Sequence, residues 1–151
     1  MKNIIFIFIT LITLSGCAVI KAQKTTSDQV SYLTSGNSSL PFSEAVKVGN
    51  TLYLSGQIGL VPDTGKLAQG GIKAETKQTM DNIVRVLNKY DYSIDDVVKC
   101  AVMLADIKEW PAFNDVYRPY FKSHFPARSA FAASGLALDA KVEVECIAVK
   151  Q

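Results

Sequence analysis

Few side chains in this 151-residue sequence have types and spacing suited to chemistry. Those that stand out are Arg128, within Phe125-Pro126-Ala127-Arg128-Ser129, and the pair in Val142-Glu143-Val144-Glu145. Arginine and glutamate are the side chains of anion binding and proton transfer. Without further context, however, Arg128 reads as a surface ion-pair residue and Glu143 as a solvated carboxylate. The stronger signatures are missing: there is no G-x-S-x-G elbow, no metal-ligand cluster and no phosphate loop. The single histidine, His124, falls in a loop and reads as a surface residue. Trp110 and the tyrosines near it lie at helical spacing, which suits core or interface packing better than a ligand box.

These residues need elements to hold them. From Glu44 to Ile58, alternating apolar residues flank Gly49-Asn50, which predicts an antiparallel hairpin with both turn residues at positive φ. Pro62-Asp63-Thr64-Gly65 predicts a second turn. Between Gly71 and Tyr90, Met80, Ile83, Val84 and Leu87 fall on one face of a helix. Asp95 to Leu104 reads as a strand. Pro111 opens a second helix carrying Phe113, Val116, Tyr117, Tyr120 and Phe121, which Pro119 should kink or end. Strands over Ser129 to Ala133 and Lys141 to Val149 complete the order ββ, helix, strand, helix, ββ. That order predicts one α+β domain, a single sheet with both helices on one face. On the last strand Glu143, Glu145, Ile147 and Val149 alternate with apolar residues, so the second face is itself partly apolar and predicts oligomerisation.

Several segments together carry a resemblance. Ala127 to Glu145, with an arginine opening a strand after Pro-Ala and a glutamate on the last strand, resembles the signature of the reactive-intermediate deaminases, the RidA or YjgF-like family. Leu54-Ser55-Gly56-Gln57-Ile58 is similar to that family's other common segment, as are Val97 to Asp106 and Asn114 to Pro126. The likeness spans Pro41 to Lys150. It implies a chorismate-mutase-like α+β fold, a homotrimer, and sites in the clefts between subunits. By motif position it makes Arg128 the residue that ion-pairs a substrate carboxylate and Glu143 the one that positions water or shuttles a proton. Gly56, Ser55 and Asn114 would shape the cleft. The sequence departs from the family at Phe42, in Leu40-Pro41-Phe42, where a tyrosine is usual, so a hydroxyl is lost and a ring kept. Ala130 stands where some relatives place cysteine.

The reaction implied is hydrolysis of 2-aminoacrylate-like enamines and 2-imino acids to 2-keto acids and ammonia, with no cofactor and no metal. A second reading uses the same cleft to hold a small carboxylate without turnover, as a binding trimer of the cell envelope; a third is a purely structural trimer.

The chain's first residues do not read as part of the fold. Lys2 precedes the uncharged apolar stretch Ile4 to Leu14, too short to span a bilayer, so residues 1–16 read as a signal peptide. Leu14-Ser15-Gly16-Cys17 resembles the bacterial lipobox, which would make Cys17 the lipidated N-terminus and the membrane a partner. Residues 17–35 then form a flexible tether and 36–151 the domain. The alternative is a secreted soluble protein. With Lys2 removed, 15 basic side chains face 14 acidic ones, a balance that argues against a nucleic-acid partner. Cys100 and Cys146 remain, each in an apolar strand. An oxidising compartment leaves a disulfide open, and two buried thiols are the expectation.

Overall fold

The computed structural model describes residues 29–36 and 39–150, so the expected signal peptide, Cys17 and the first part of the tether lie outside the described residues. The strands are β1 (Val30–Leu33), β2 (Ala45–Val48), β3 (Thr51–Leu54), β4 (Gln57–Ile58), β5 (Leu60–Val61), β6 (Lys66–Leu67), β7 (Val97–Leu104), β8 (Ala127–Ala132) and β9 (Val142–Val149). The helices are α1 (Gly71–Lys89) and α2 (Trp110–Tyr117). The main sheet runs β1-β2-β3-β9-β7-β8, with β4 also pairing β9. Its pairs are antiparallel except β7–β8, which are parallel and joined by the crossover that carries α2.

The apolar face of the sheet packs under both helices, as the pattern predicted. Leu52, Leu54, Val102, Val142, Val144 and Ala148 meet Met80, Ile83, Val86 and Leu87 of α1 and Phe113 and Tyr117 of α2 in one core. Val84, expected on the buried face of α1, is only half-buried, and Val86 takes that place. The helix ends where Asp91 turns to φ 64, letting Tyr92 N–H reach the Leu87 carbonyl at 2.9 Å. α2 stops at Tyr117, a turn before its expected apolar partners Tyr120 and Phe121, because Pro119 falls in the tighter turn Arg118–Tyr120.

Two turns follow their sequence signals with one difference. Val48 pairs with Thr51 across Gly49-Asn50, but only Gly49 has positive φ, at 56°. A positive first residue alone is the pattern of a type II′ hairpin rather than type I′. Pro62 to Gly65 closes β5 onto β6, with Gly65 N–H on the Val61 carbonyl at 2.9 Å.

Two expectations need correction. The stretch 17–35 is not all tether: Val30–Leu33 adds to the sheet edge, pairing Val30 with Val48 and Leu33 with Ala45. Cys100 and Cys146 are not free thiols but a disulfide, since β7 and β9 place them directly opposite each other with Cα atoms 4.1 Å apart.

The sheet's other face is open. Tyr32 is 72% exposed, Phe131 50% and Tyr53 46%, and Ile147 and Val149 lie on the same side. Exposed aromatic side chains grouped on one face, here beside Glu143, Glu145 and Lys99, are the kind of surface that marks an interaction site.

Candidate functional site

Arg128 opens β8 as the register partner of Cys100, so its side chain leaves the sheet on the helix side. There α2 supplies the receptacle. Trp110, Phe113, Asn114 and Tyr117 recur at helical spacing on the face turned to β8, and three of them ring the guanidinium. Its carbon lies 4.6 Å from the Trp110 ring centroid, 4.8 Å from that of Tyr117 and 5.9 Å from that of Phe113. Such contacts hold a cation by the negative faces of the rings. One Nη1–H is donated to Asn114 Oδ1 at 2.9 Å, fixing the plane. None of the four ion pairs among the described residues includes Arg128. A half-buried guanidinium, held in one orientation by a neutral amide and aromatic rings rather than by a carboxylate among the described residues, is prepared to receive an anion.

The cavity at this guanidinium has a volume of about 420 Å³ and is lined by Asn114, Tyr117, Arg118, Phe125, Pro126 and Arg128. A second, more open hollow is lined by Ile107, Lys108, Trp110, Pro111 and Ala130.

Glu143 is elsewhere. It pairs with Met103 on β7 and with Ile58 on β4. Counting along β9, Glu143 and Cys146 point to opposite faces, and Cys146 shares the helix face with Cys100 and Arg128. Glu143 therefore faces the open side of the sheet. Its carboxylate lies against Gly56, where a Cβ would overlap Oε1, so the bend between β3 and β4 has to be glycine for the acid to sit there. Burial holds the Glu143 carboxyl above its usual range, and the charge of Glu145, on the same face, adds to the effect. Ser55 is tied into the same corner, its hydroxyl donating to the Ser43 carbonyl at 2.6 Å, which brings the exposed Phe42 alongside in sequence.

The residues singled out from sequence thus fall into two groups in one chain. Asn114, on α2, faces Arg128 and Ala130 on β8; Glu143, Gly56 and Ser55 meet at the β3–β4 bend, with Phe42 next in sequence to Ser43, whose carbonyl Ser55 holds. His124 is exposed, as expected. Trp110 is more than core packing, because it stacks on the guanidinium. Tyr117, Arg118 and Phe125 were not foreseen as site residues, although the i, i+4, i+7 spacing of Trp110, Asn114 and Tyr117 on one helix was a usable signal.

The sequence matches the family described as Endoribonuclease L-PSP over residues 34–150. It is 46% identical over 110 residues to a goat (Capra hircus) 2-iminobutanoate/2-iminopropanoate deaminase, an alignment covering 73% of this chain and 80% of that one. Among solved structures it is similar to an Entamoeba histolytica protein described by the same L-PSP name. There the TM-score is 0.76 at 40% identity, covering 81% of this chain and all of that one. It is also similar to E. coli TdcF with bound serine, with a TM-score of 0.71 at 27% identity, covering 74% of this chain and 90% of the other.

Proposed function

Because the chain belongs to the Endoribonuclease L-PSP family, which includes the RidA and YjgF-like proteins, we propose that it hydrolyses reactive 2-imino acids and their enamines to 2-keto acids and ammonia. The observation that carries this is the oriented guanidinium of Arg128, in no ion pair among the described residues and open to a cavity. The family description names a ribonuclease, but the mammalian relatives are named 2-iminobutanoate/2-iminopropanoate deaminases, and a structural relative holds serine, a small carboxylate.

Arg128 binds the substrate carboxylate through two parallel N–H bonds. An enamine tautomerises to the imine, and water adds to the imine carbon. Glu143 takes a proton from that water and delivers it to nitrogen, which gives the carbinolamine; it then carries the hydroxyl proton to nitrogen as the carbon–nitrogen bond breaks, so ammonia leaves and the carbonyl forms. Imines already hydrolyse in water, so positioning plus acid–base help of about 10²- to 10⁴-fold suffices. The test generates 2-iminopropanoate with an amino-acid oxidase and follows its decay with and without the protein. Faster loss with matching ammonia release is expected, and an unchanged decay rate would overturn the proposal.

Glu143 has to be ionised to take a proton, so activity falls as pH drops through its raised pKa. Replacing Glu145 by glutamine removes a like charge, lowers that pKa, and should move the acid limb of kcat/KM to lower pH. A limb that stays in place would show that Glu143 is not the base, or that Glu145 does not reach it.

One chain holds Arg128 and Glu143 on opposite sheet faces, so the proposal includes a second copy. A homotrimer that buries the open face would bring the α2 side of one subunit to the β3–β4 bend of its neighbour. Phe42, at that bend, would line the cleft with a ring and no hydroxyl.

The proposal also places the protein on the cell envelope, anchored through Cys17. Leu14 to Cys17 supports this from sequence, and a disulfide is at home in an oxidising compartment. Two or three acyl chains, at about 0.8 kcal/mol per buried CH₂, would hold it there. Wild type is expected in the detergent phase on membrane fractionation and Cys17→Ser in the aqueous phase; equal partitioning would rule out the anchor.

A further inference from the structure

We infer that the Arg128 cavity contains a second anion subsite, made by Arg118 and the Tyr117 hydroxyl, which selects 2-imino acids carrying a second carboxylate. The inference rests on the reaction proposed above and names the substrate class of that same site.

Tyr117 is 2% exposed and packed between Phe113 and Phe121, with ring centroids 5.2 and 4.8 Å away. Its hydroxyl is buried and has no hydrogen-bond partner among the described residues, while the residue lines the cavity. A buried hydroxyl left unmatched costs free energy comparable to a lost hydrogen bond, so a group that pairs with it is favoured in proportion. Burial pushes the phenol up to about 12, against the opposing charge of Arg128, so at neutral pH it donates a proton rather than carrying a charge. Donation suits an acceptor oxygen.

Arg118 lines the same cavity from the turn that ends α2. No ion pair among the described residues includes it. The nearest acid along the helix, Asp115, is committed to Lys73 at 3.1 Å. The cavity walls contain no carboxylate, and Phe125 and Pro126 supply apolar surface between the polar groups. Two arginines lining one cavity, Arg128 half-buried and Arg118 exposed at its mouth, raise its positive potential, and one bound carboxylate neutralises only one of them. A substrate with carboxylates at both ends, such as 2-iminosuccinate or 2-iminoglutarate, satisfies both cations and the phenol. The reaction that supplies it would be two-electron oxidation of the Cα–N bond of an acidic amino acid, or elimination from one that carries a leaving group on Cβ.

The test compares kcat/KM for 2-iminoglutarate and 2-iminopropanoate, each generated by an oxidase, in wild type, Arg118→Ala and Tyr117→Phe. Wild type is expected to favour the dicarboxylic imine, and Arg118→Ala to lower that preference about ten- to a hundredfold, the worth of a charge-assisted hydrogen bond. Tyr117→Phe should lower it by less than Arg118→Ala, and KM should carry most of both effects. A preference ratio unchanged by Arg118→Ala would overturn the inference. If wild type hydrolyses neither imine, the proposed reaction fails, and binding decides the subsite separately. Calorimetric titration should then show 2-oxoglutarate bound more tightly than pyruvate, with the difference lost in Arg118→Ala; equal affinities would dispose of the subsite as well.

Discussion

Arg128→Ala is expected to lower kcat/KM for 2-iminopropanoate hydrolysis by about 10²- to 10³-fold, close to the uncatalysed rate, while the protein keeps its fold. The size follows from what the guanidinium does. It provides two charge-assisted bonds to the carboxylate, and the cavity's other planar fork, Arg118, is exposed and lacks, among the described residues, the aromatic ring and the Asn114 bond that orient Arg128. Arg118 can attract an anion but faces the cavity from the end of α2. Arg128→Lys should recover only part of the loss, because a single ammonium keeps the charge and gives up the fork. The Trp110, Phe113 and Tyr117 rings also lose their cation in the alanine variant, so thermal unfolding has to be measured beside activity. Full activity in Arg128→Ala would refute the assigned role.

The same site makes a sharper demand on assembly. If the chain forms the proposed homotrimer and Arg128 of one subunit works with Glu143 of the next, Arg128→Ala and Glu143→Gln trimers would each be inactive, but mixed trimers would contain some intact clefts. Random mixing of equal amounts leaves roughly one cleft in four with both groups, so about a quarter of wild-type activity should return. No recovery above either parent would place the two residues in the same subunit's site, against the opposite-face geometry of the single chain.

How much of this could be read from sequence depended on whether the information was local. The hairpin at Gly49-Asn50, α1, and the end of α2 at Pro119 follow from residues within a few positions of each other, and the structure shows all three. The strand Val30–Leu33 escaped because four residues at a sheet edge carry too little alternation to separate from a polar tether. β4, β5 and β6 are two residues each, and their pairing partners define them more than their composition does. For the site, the resemblance pointed to Arg128 and Glu143, yet not to their lying on opposite faces. That fact depends on the registers of β7 with β8 and with β9, and register is a long-range property. The aromatic ring around Arg128 was half legible, since helical spacing shows which α2 residues share a face but not what that face meets.

Register also decides the disulfide. Nothing near Cys100 or Cys146 in sequence says whether they meet; the antiparallel pairing of β7 with β9 does, by setting them opposite each other in the buried face. The bond closes a loop of 46 residues, for which chain-entropy reasoning gives about 4 kcal/mol of stabilisation. For a domain near this size that corresponds to roughly 10–20 °C in Tm. We therefore expect protein refolded under reducing conditions to melt that much lower than the oxidised form. The comparison has to be made at one protein concentration, because the stability of the proposed oligomer would depend on it. Cys100→Ala/Cys146→Ala should fall in the same range or slightly lower, since removing both sulfurs also leaves a small void in the core. Coincident melting of oxidised and reduced protein would show that the bond staples nothing. The strand it secures has a further role: Cys100 is the register partner of Arg128, so β7 fixes the height at which the guanidinium enters the ring of α2. Loss of the bond should accordingly raise KM for the imine at temperatures well below unfolding, whereas a purely global loss of stability would leave KM unchanged until the protein melts.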